Sequence, residues 1–254
     1  MVTQSSIPFS ELAFHQRLAR PGTIIDAGAN IGAFSRPFST WAGNRLIAFE
    51  PFSPIFEMLK ASLMDDHGGY LPETTKLYMA ALGETMGTAT LRVPHVAGLG
   101  TVHDLASMVR NFDGLDGVGF YEFEVPVWTI DGLGLDDLTA IKIDAEGYEI
   151  EILQGARYTI GRCRPIVSCE CVECHREGIT WYVPGFMRAL GYDGWFHHQG
   201  QFWPVSALDR RTMQVASPHG KPMSDPYIVT FLFIPRELDD LRQRLLEFGS
   251  FRTA

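Results

Sequence analysis

Cysteine is scarce in this sequence and confined to one place: Cys163, Cys169, Cys171 and Cys174 lie within residues 163–174, and the rest of the 254-residue chain has none. A disulfide framework spreads its cysteines along the chain, so these read as reduced thiols. Positive charge is also short, with 21 Lys and Arg against 30 Asp and Glu and a formal net charge of -9. That balance excludes the dense cationic surface a phosphate backbone requires, so no nucleic-acid partner is expected. No stretch of about 18 uninterrupted apolar residues occurs, so no membrane partner is expected either. Residues 1–20 carry Pro8, Glu11 and two arginines without the apolar core of a signal peptide, which gives the expectation of a cytoplasmic protein. Repeats, low-complexity tracts and linkers are missing as well, and the chain reads as a single domain over 1–254.

What is present centres on residues 23–34, Thr-Ile-Ile-Asp-Ala-Gly-Ala-Asn-Ile-Gly-Ala-Phe, and on Glu50-Pro51 one βα unit later. An apolar run ends at Asp26, breaks at Gly28 and resumes after Gly32 as a helix start, the grammar of a buried parallel strand and the turn at its carboxyl end. Gly28 and Gly32, around Asn30, would let the backbone approach a ligand. An acidic residue after the second strand, here Glu50, is placed to accept hydrogen bonds from ribose hydroxyls. The spacing Asp-x-Gly-x-Asn-x-Gly is not Gly-x-Gly-x-x-Gly, and no Gly-Lys-Ser or Gly-Lys-Thr occurs, which disfavours an NAD-dependent dehydrogenase and a phosphate-cradling loop. A nucleoside without a pyrophosphate, S-adenosylmethionine, fits better. An ordinary glycine-rich βα turn stands beside that reading.

The remaining chain reads as strands and helices in alternation. A short amphipathic helix covers 9–18, a crossover helix containing Pro37 covers 31–42, and strands cover 45–50 and 77–82, with Ala81 and Leu82 where an adenine would sit. Residues 94–119 lack a clean period and carry His95, His103, Asp104, Ser107, Arg110 and Asn111. They read as a lid over a substrate, or as a surface insertion. Residues 140–149, Ala-Ile-Lys-Ile-Asp-Ala-Glu-Gly-Tyr-Glu, repeat the opening logic of strand, acid, glycine and helix, so Asp144 and Glu146 should face the crevice of Asp26 and Glu50. A helix over 148–158, a strand over 165–170 ending in Glu170, a helix over 181–190, an aromatic hairpin over 195–205, a buried strand over 227–234 and a closing helix to about 248 complete the pattern.

In this order the signatures resemble the FkbM family of S-adenosylmethionine-dependent methyltransferases. They are Ile25-Asp26-Ala27-Gly28-Ala29-Asn30-Ile31-Gly32, Ala48-Phe49-Glu50-Pro51, Ala80-Ala81-Leu82-Gly83, and Ile141-Lys142-Ile143-Asp144-Ala145-Glu146-Gly147 with Glu149, then Gly155-Ala156 and Arg164-Pro165. The resemblance implies an α/β, Rossmann-like class I methyltransferase fold: a seven-stranded, mostly parallel sheet with the last strand antiparallel. It also implies O-methylation of a small hydroxylated acceptor, often a sugar or natural product. Residues 1–21 then form a helical extension, 22–170 the cofactor-binding core, 94–119 the lid or insertion, and 171–254 the substrate-shaping strands and helix.

On this reading Asp26, Gly28, Asn30, Gly32, Glu50, Pro51, Ala81, Leu82 and Asp144 bind S-adenosylmethionine. Proton removal falls to Asp144, Glu146 or a histidine, His197 first among them. Alternatively Asp144 and Glu170 hold Mg²⁺ or Ca²⁺, which would lower the acceptor's pKa, and Lys142 offsets the remaining charge. Cys169-x-Cys171-x-x-Cys174-His175 has zinc-ligand chemistry, against which stands the burial of Cys169 and Cys171 in a strand. A phenolic or lipid hydroxyl, a noncatalytic scaffold role and a homodimeric assembly stay open.

Overall fold

The computed structural model describes residues 9–96, 100–101, 106–109, 118–217 and 222–252. Its first half alternates as the sequence does: α1 (Glu11–Leu18), β1 (Gly22–Ala27), α2 (Ser35–Thr40), β2 (Asn44–Phe49), α3 (Ser53–Asp66) and β3 (Thr75–Tyr78). There follow β4 (Ala81–Leu82), β5 (Gly87–Val96), β6 (Gly100–Thr101) and β7 (Val118–Trp128), then β8 (Leu138–Ile143), α4 (Glu149–Gln154), α5 (Arg157–Cys163) and β9 (Ile166–Glu170). The last part holds α6 (Ile179–Ala189), β10 (Tyr192–His198), β11 (Gln201–Pro204), α7 (Arg210–Met213), β12 (Thr230–Pro235), α8 (Asp239–Arg244) and β13 (Ser250–Phe251).

The main sheet runs β13-β11-β10-β12-β9-β8-β1-β2-β3. From β3 to β9 every pairing is parallel, and β12 is antiparallel to both its neighbours, β9 and β10. Seven strands were expected; this sheet holds nine among the described residues, because β11 and β13 extend the edge beyond β10. The continuous apolar runs of β1, β2 and β8 are explained by helices on both faces. Ile25, Ala27, Ile141 and Ile143 pack into one core with α4, α5 and α6, whereas their neighbours Ile24 and Ala140 pack into another with α1, α2, α3 and α8.

Several expected boundaries move, each for a local reason. The helix expected over 31–42 contracts to α2, because Asn30 (φ 49°) and Gly32 (φ 99°) hold the preceding residues in left-handed turns; Pro37 sits in the helix's first turn, where its missing N–H costs nothing. The helix expected over 148–158 breaks at Gly155, whose backbone abuts Gly83 so closely that a β-carbon would overlap the Gly83 carbonyl. The strand expected over 77–82 divides: β3 ends at Tyr78, and Ala81 and Leu82 join a second sheet of order β4-β7-β5-β6. In that sheet β5 pairs with β7 from Gly87↔Val127 to Val96↔Val118. Its inner face, with Leu91, Val93, Val125 and Val127, packs on Phe52 and Ile55 at the start of α3.

The span 94–119 is therefore not one irregular loop. Its ends extend β5 and β7, and residues 106–109 return to the sheet through a bridge between Ser107 and Arg92. His103, Asp104, Arg110 and Asn111 lie outside the described residues.

Candidate active site

A cleft of about 200 Å³ opens at the carboxyl ends of β1, β2 and β8, roofed by the second sheet. Its lining includes Asn30, Glu50, Pro51, Ala81 and Leu82 on one side, Asp144, Glu146 and Glu170 on the other, Gly28 between them against Asp144, and Leu91, Ala106, Ser107 and Met108 from above. This is the crevice where open α/β sheets bind ligands.

Glu50 follows the last residue of β2 and is 8% exposed. Its Oε2 accepts from the backbone N–H of Asn30 at 3.0 Å and its Oε1 from that of Phe52 at 2.9 Å. These bonds fix the carboxylate's direction while leaving each oxygen a second lone pair for a ligand hydroxyl. Burial pushes its pKa up to about 7, against the two backbone hydrogen bonds. Ala81 and Leu82 are almost fully buried in β4 and give the cleft an apolar wall.

Two other residues of the opening motif lie away from the cleft. Asp26 is fully buried and does not line the cleft: it accepts from the Ser35 hydroxyl at 2.6 Å and lies 3.7 Å from the Lys142 ammonium. Gly32 does not line the cleft either; the space beside its α-carbon is taken by Leu59 and Ser62 of α3. Gly28 does line it, yet its missing β-carbon makes room for protein: a methyl group there would overlap the carbonyl oxygen of Asp144.

On the opposite wall the carboxyl groups interact. Lys142 Nζ lies 3.3 Å from Asp144 Oδ2. Burial works against the Asp144 carboxylate, but the Lys142 charge and a hydrogen bond with Glu170 hold its pKa below the ordinary value. Glu170 moves the other way, to about 10, through burial and the charges of Asp144 and Glu146. Within this pair the Lys142 charge favours the carboxylate on Asp144 and leaves the proton favoured on Glu170. Glu146 sits in a left-handed turn (φ 50°), and its carbonyl accepts from the Ser107 hydroxyl at 2.6 Å. Glu149, the first residue of α4, accepts from the N–H groups of Ala145 at 3.1 Å and Gly147 at 2.9 Å, bracing the same turn.

His175 joins this group, which the sequence reading had linked only to the cysteines. Its Nε2 is 3.4 Å from Glu146 Oε2 and its Nδ1 3.7 Å from Glu170 Oε2. Five residues after a strand's end, it is returned to that end by the loop before α6, a position readable from the strand rule but masked by the cysteine spacing. Donor atoms of Glu146, Glu170 and His175 lie within 4.8 Å of one another. Beside the expected metal pair of Asp144 and Glu170, this group offers a set that includes an imidazole, a donor better matched to transition metals than to Mg²⁺ or Ca²⁺. The cysteines do not share in it: Cys169 and Cys171 are fully buried with sulfurs 3.7 Å apart, and Cys174 is exposed beside Tyr227.

His197 does not reach the cleft. It lies on β10 with its ring 4.3 Å from that of Phe9 and 5.0 Å from that of Phe202, and Nε2 is 3.2 Å from the Phe248 carbonyl. The hairpin turn near it was a poor guide, since β10 lies two strands beyond β9 in the sheet.

Comparison with known proteins bears on the family and the fold. Residues 26–194 match the family described as the methyltransferase FkbM domain. A solved structure of methyltransferase FkbM from Methylobacillus flagellatus KT superimposes with a TM-score of 0.55 and 20% identity, covering 90% of this chain and 48% of that one. The chain thus spans about half the length of that relative. Precorrin-6y C5,15-methyltransferase from Geobacter metallireducens GS-15 gives a TM-score of 0.42 at 13% identity, covering 77% and 80% of the two chains. An rRNA methylase from Streptococcus thermophilus gives 0.43 at 11%, covering 88% and 92%. No curated protein matches the sequence.

Proposed function

Since the chain belongs to the FkbM methyltransferase family, we propose that it is an S-adenosylmethionine-dependent O-methyltransferase whose acceptor is a small hydroxylated molecule, a sugar or a glycosylated natural product. One observation carries this reading: a single cleft joins a nucleoside-type wall, Glu50 with Ala81 and Leu82, to a wall of interacting carboxyl groups.

Glu50 would accept the ribose hydroxyls, and the apolar pair Ala81 and Leu82 would lie against the adenine. The methionine part would run past Gly28 toward Asp144. S-adenosylmethionine brings a methyl group on a positively charged sulfur; this chain's part is to align the acceptor oxygen with it and to remove a proton. Asp144, ionised beside Lys142, is a weak base and serves to hold positive charge and the acceptor in place. Glu146 is better suited to take the hydroxyl proton, because its turn is braced by Ser107 and Glu149 and its side chain meets His175. A metal-assisted route is favoured by a different observation, the three-donor group of Glu146, Glu170 and His175. A transition-metal ion held there would lower the acceptor's pKa in place of a protein base.

The test is methyl transfer from labelled donor to panels of sugars, glycosides, phenols and lipid alcohols, with and without EDTA. Transfer to a sugar hydroxyl that survives EDTA is the expected result. Transfer lost on chelation and restored by a transition metal would replace the base with the ion. Transfer to phenols or lipids alone would overturn the acceptor class.

A further inference from the structure

Lys142 lies on β8 with Asp26 on β1 and Ser168 on β9 as its register partners. It is 5% exposed, and the Phe34 ring lies 5.1 Å from Nζ. The ammonium donates to the Gly28 carbonyl at 3.2 Å and to Asp144 Oδ2 at 3.3 Å, with Asp26 Oδ1 at 3.7 Å. Gly28 and Asp144 follow the adjacent strands β1 and β8, meet backbone to backbone and both line the cleft, so one buried side chain grips both strand ends from behind.

The N-terminal helix reaches the same place. Glu11 of α1 accepts from the Ser168 hydroxyl, and the Nε2 of His15, one helical turn on, is 2.7 Å from that hydroxyl. His15 is fully buried and Glu11 half-buried, and the Lys142 charge acts on each. A buried ammonium among carboxylates is an expensive way to obtain stability, since apolar replacements of such pairs are often neutral or better. The arrangement makes sense if the geometry it imposes is used.

We propose that Lys142 is a positioning residue for the methyl donor, holding the Gly28 carbonyl and the Asp144 carboxylate in place at the adjoining ends of β1 and β8, and that α1, through Glu11, forms the rear of the donor site. This rests on the reading of the cleft as a donor site. Coupling of this kind is reciprocal: filling the cleft must steady α1 as much as α1 steadies the cleft.

The test uses S-adenosylhomocysteine as probe. Lys142→Met alone leaves Asp26 uncompensated and can fail to fold. The deciding variant is therefore the double substitution Lys142→Met with Asp26→Asn, which removes both charges of the pair and still cannot grip the ends of β1 and β8. It should unfold cooperatively and bind S-adenosylhomocysteine at least about 10-fold more weakly than the parent chain, with KM for the donor raised more than kcat is lowered. A folded double variant that binds within about 2-fold of the parent overturns the proposal. On the parent chain, S-adenosylhomocysteine should slow amide hydrogen exchange in residues 11–18, which line no part of the cleft. Unchanged exchange there overturns the role of α1. A parent chain that does not bind S-adenosylhomocysteine at all fails at the first titration, and then the donor reading itself falls together with this inference.

Discussion

The turns after β1 and β8 are written alike, Asp-Ala-Gly-Ala-Asn and Asp-Ala-Glu-Gly-Tyr, yet the structure uses their aspartates differently. Asp26 lies within β1 and pairs in register with Lys142, whereas Asp144 follows the end of β8 and meets Gly28. Side chains two apart on a strand share a face. Asp26 is thus on the same side as Asp144 but about 6.6 Å deeper, at roughly 3.3 Å per residue. That offset separates two jobs. The deeper carboxylate is sealed under Ser35 and Lys142, and the outer one opens into the cleft. A motif states the residues; the strand register decides which of them a ligand can touch.

Substitutions can break this contrast. The largest effect is expected at the outer turn: Glu146→Gln should lower kcat by about 10² to 10⁴ while S-adenosylhomocysteine affinity stays within about 2-fold, as single-turnover rates and calorimetry would show. Asp144→Ala should likewise cut turnover, and a variant with near-normal kcat would remove Asp144 from the reacting centre. The inner aspartate should behave in the opposite sense. Asp26→Asn strips a partner from a buried ammonium and should cost about 3 kcal/mol of stability in urea unfolding, with residual activity in proportion to folded protein. Selective loss of activity at full stability would mean that Asp26 touches the donor after all.

Glu50→Ala should weaken S-adenosylhomocysteine binding by about 1–3 kcal/mol through lost charge-assisted hydrogen bonds. The same residue gives a pH signature. Its pKa in the folded chain is about 7 against an ordinary 4.5. A raised carboxyl pKa means the native state holds more protons than the unfolded one between these values, so this group's contribution to apo stability falls as pH rises through that window. Donor binding, which favours the carboxylate, should strengthen as pH rises through 7, and Glu50→Gln should flatten that dependence. The smallest effect is expected at His197, where substitution by alanine should leave kcat within about 2-fold, because the ring packs among Phe9 and Phe202 away from the cleft. A large loss there would restore it to the reacting centre.

The fold was legible where the pattern is local. Buried strands ending in Asp26, Glu50 and Asp144 announced a parallel sheet with ligands at one edge, and Glu50, Gly28, Asn30, Pro51, Ala81 and Leu82 do gather at one cleft. What escaped depends on contacts distant in sequence. The assignment of Ala81 and Leu82 to a second sheet requires β7, some 45 residues away. Break points such as Gly155 are set by Gly83 across the chain. His175 enters the acidic group through a loop whose cysteines drew the eye to zinc, and His197 was favoured by its residue type and its place near a hairpin turn although β10 lies far along the sheet. Lys142 was visible as a residue of the motif, but its contacts with both Gly28 and Asp144 are a matter of register, which no single stretch of sequence contains.

The central claim is that the cleft binds a methyl donor by its nucleoside, held through Glu50. Calorimetric titration of the chain with S-adenosylhomocysteine, beside the same titration of Glu50→Ala and of NAD with the parent chain, tests it most directly. The account predicts one site per chain, affinity reduced by the substitution, and no heat with NAD. Absence of S-adenosylhomocysteine binding, or equal binding by the Glu50→Ala chain, would contradict it.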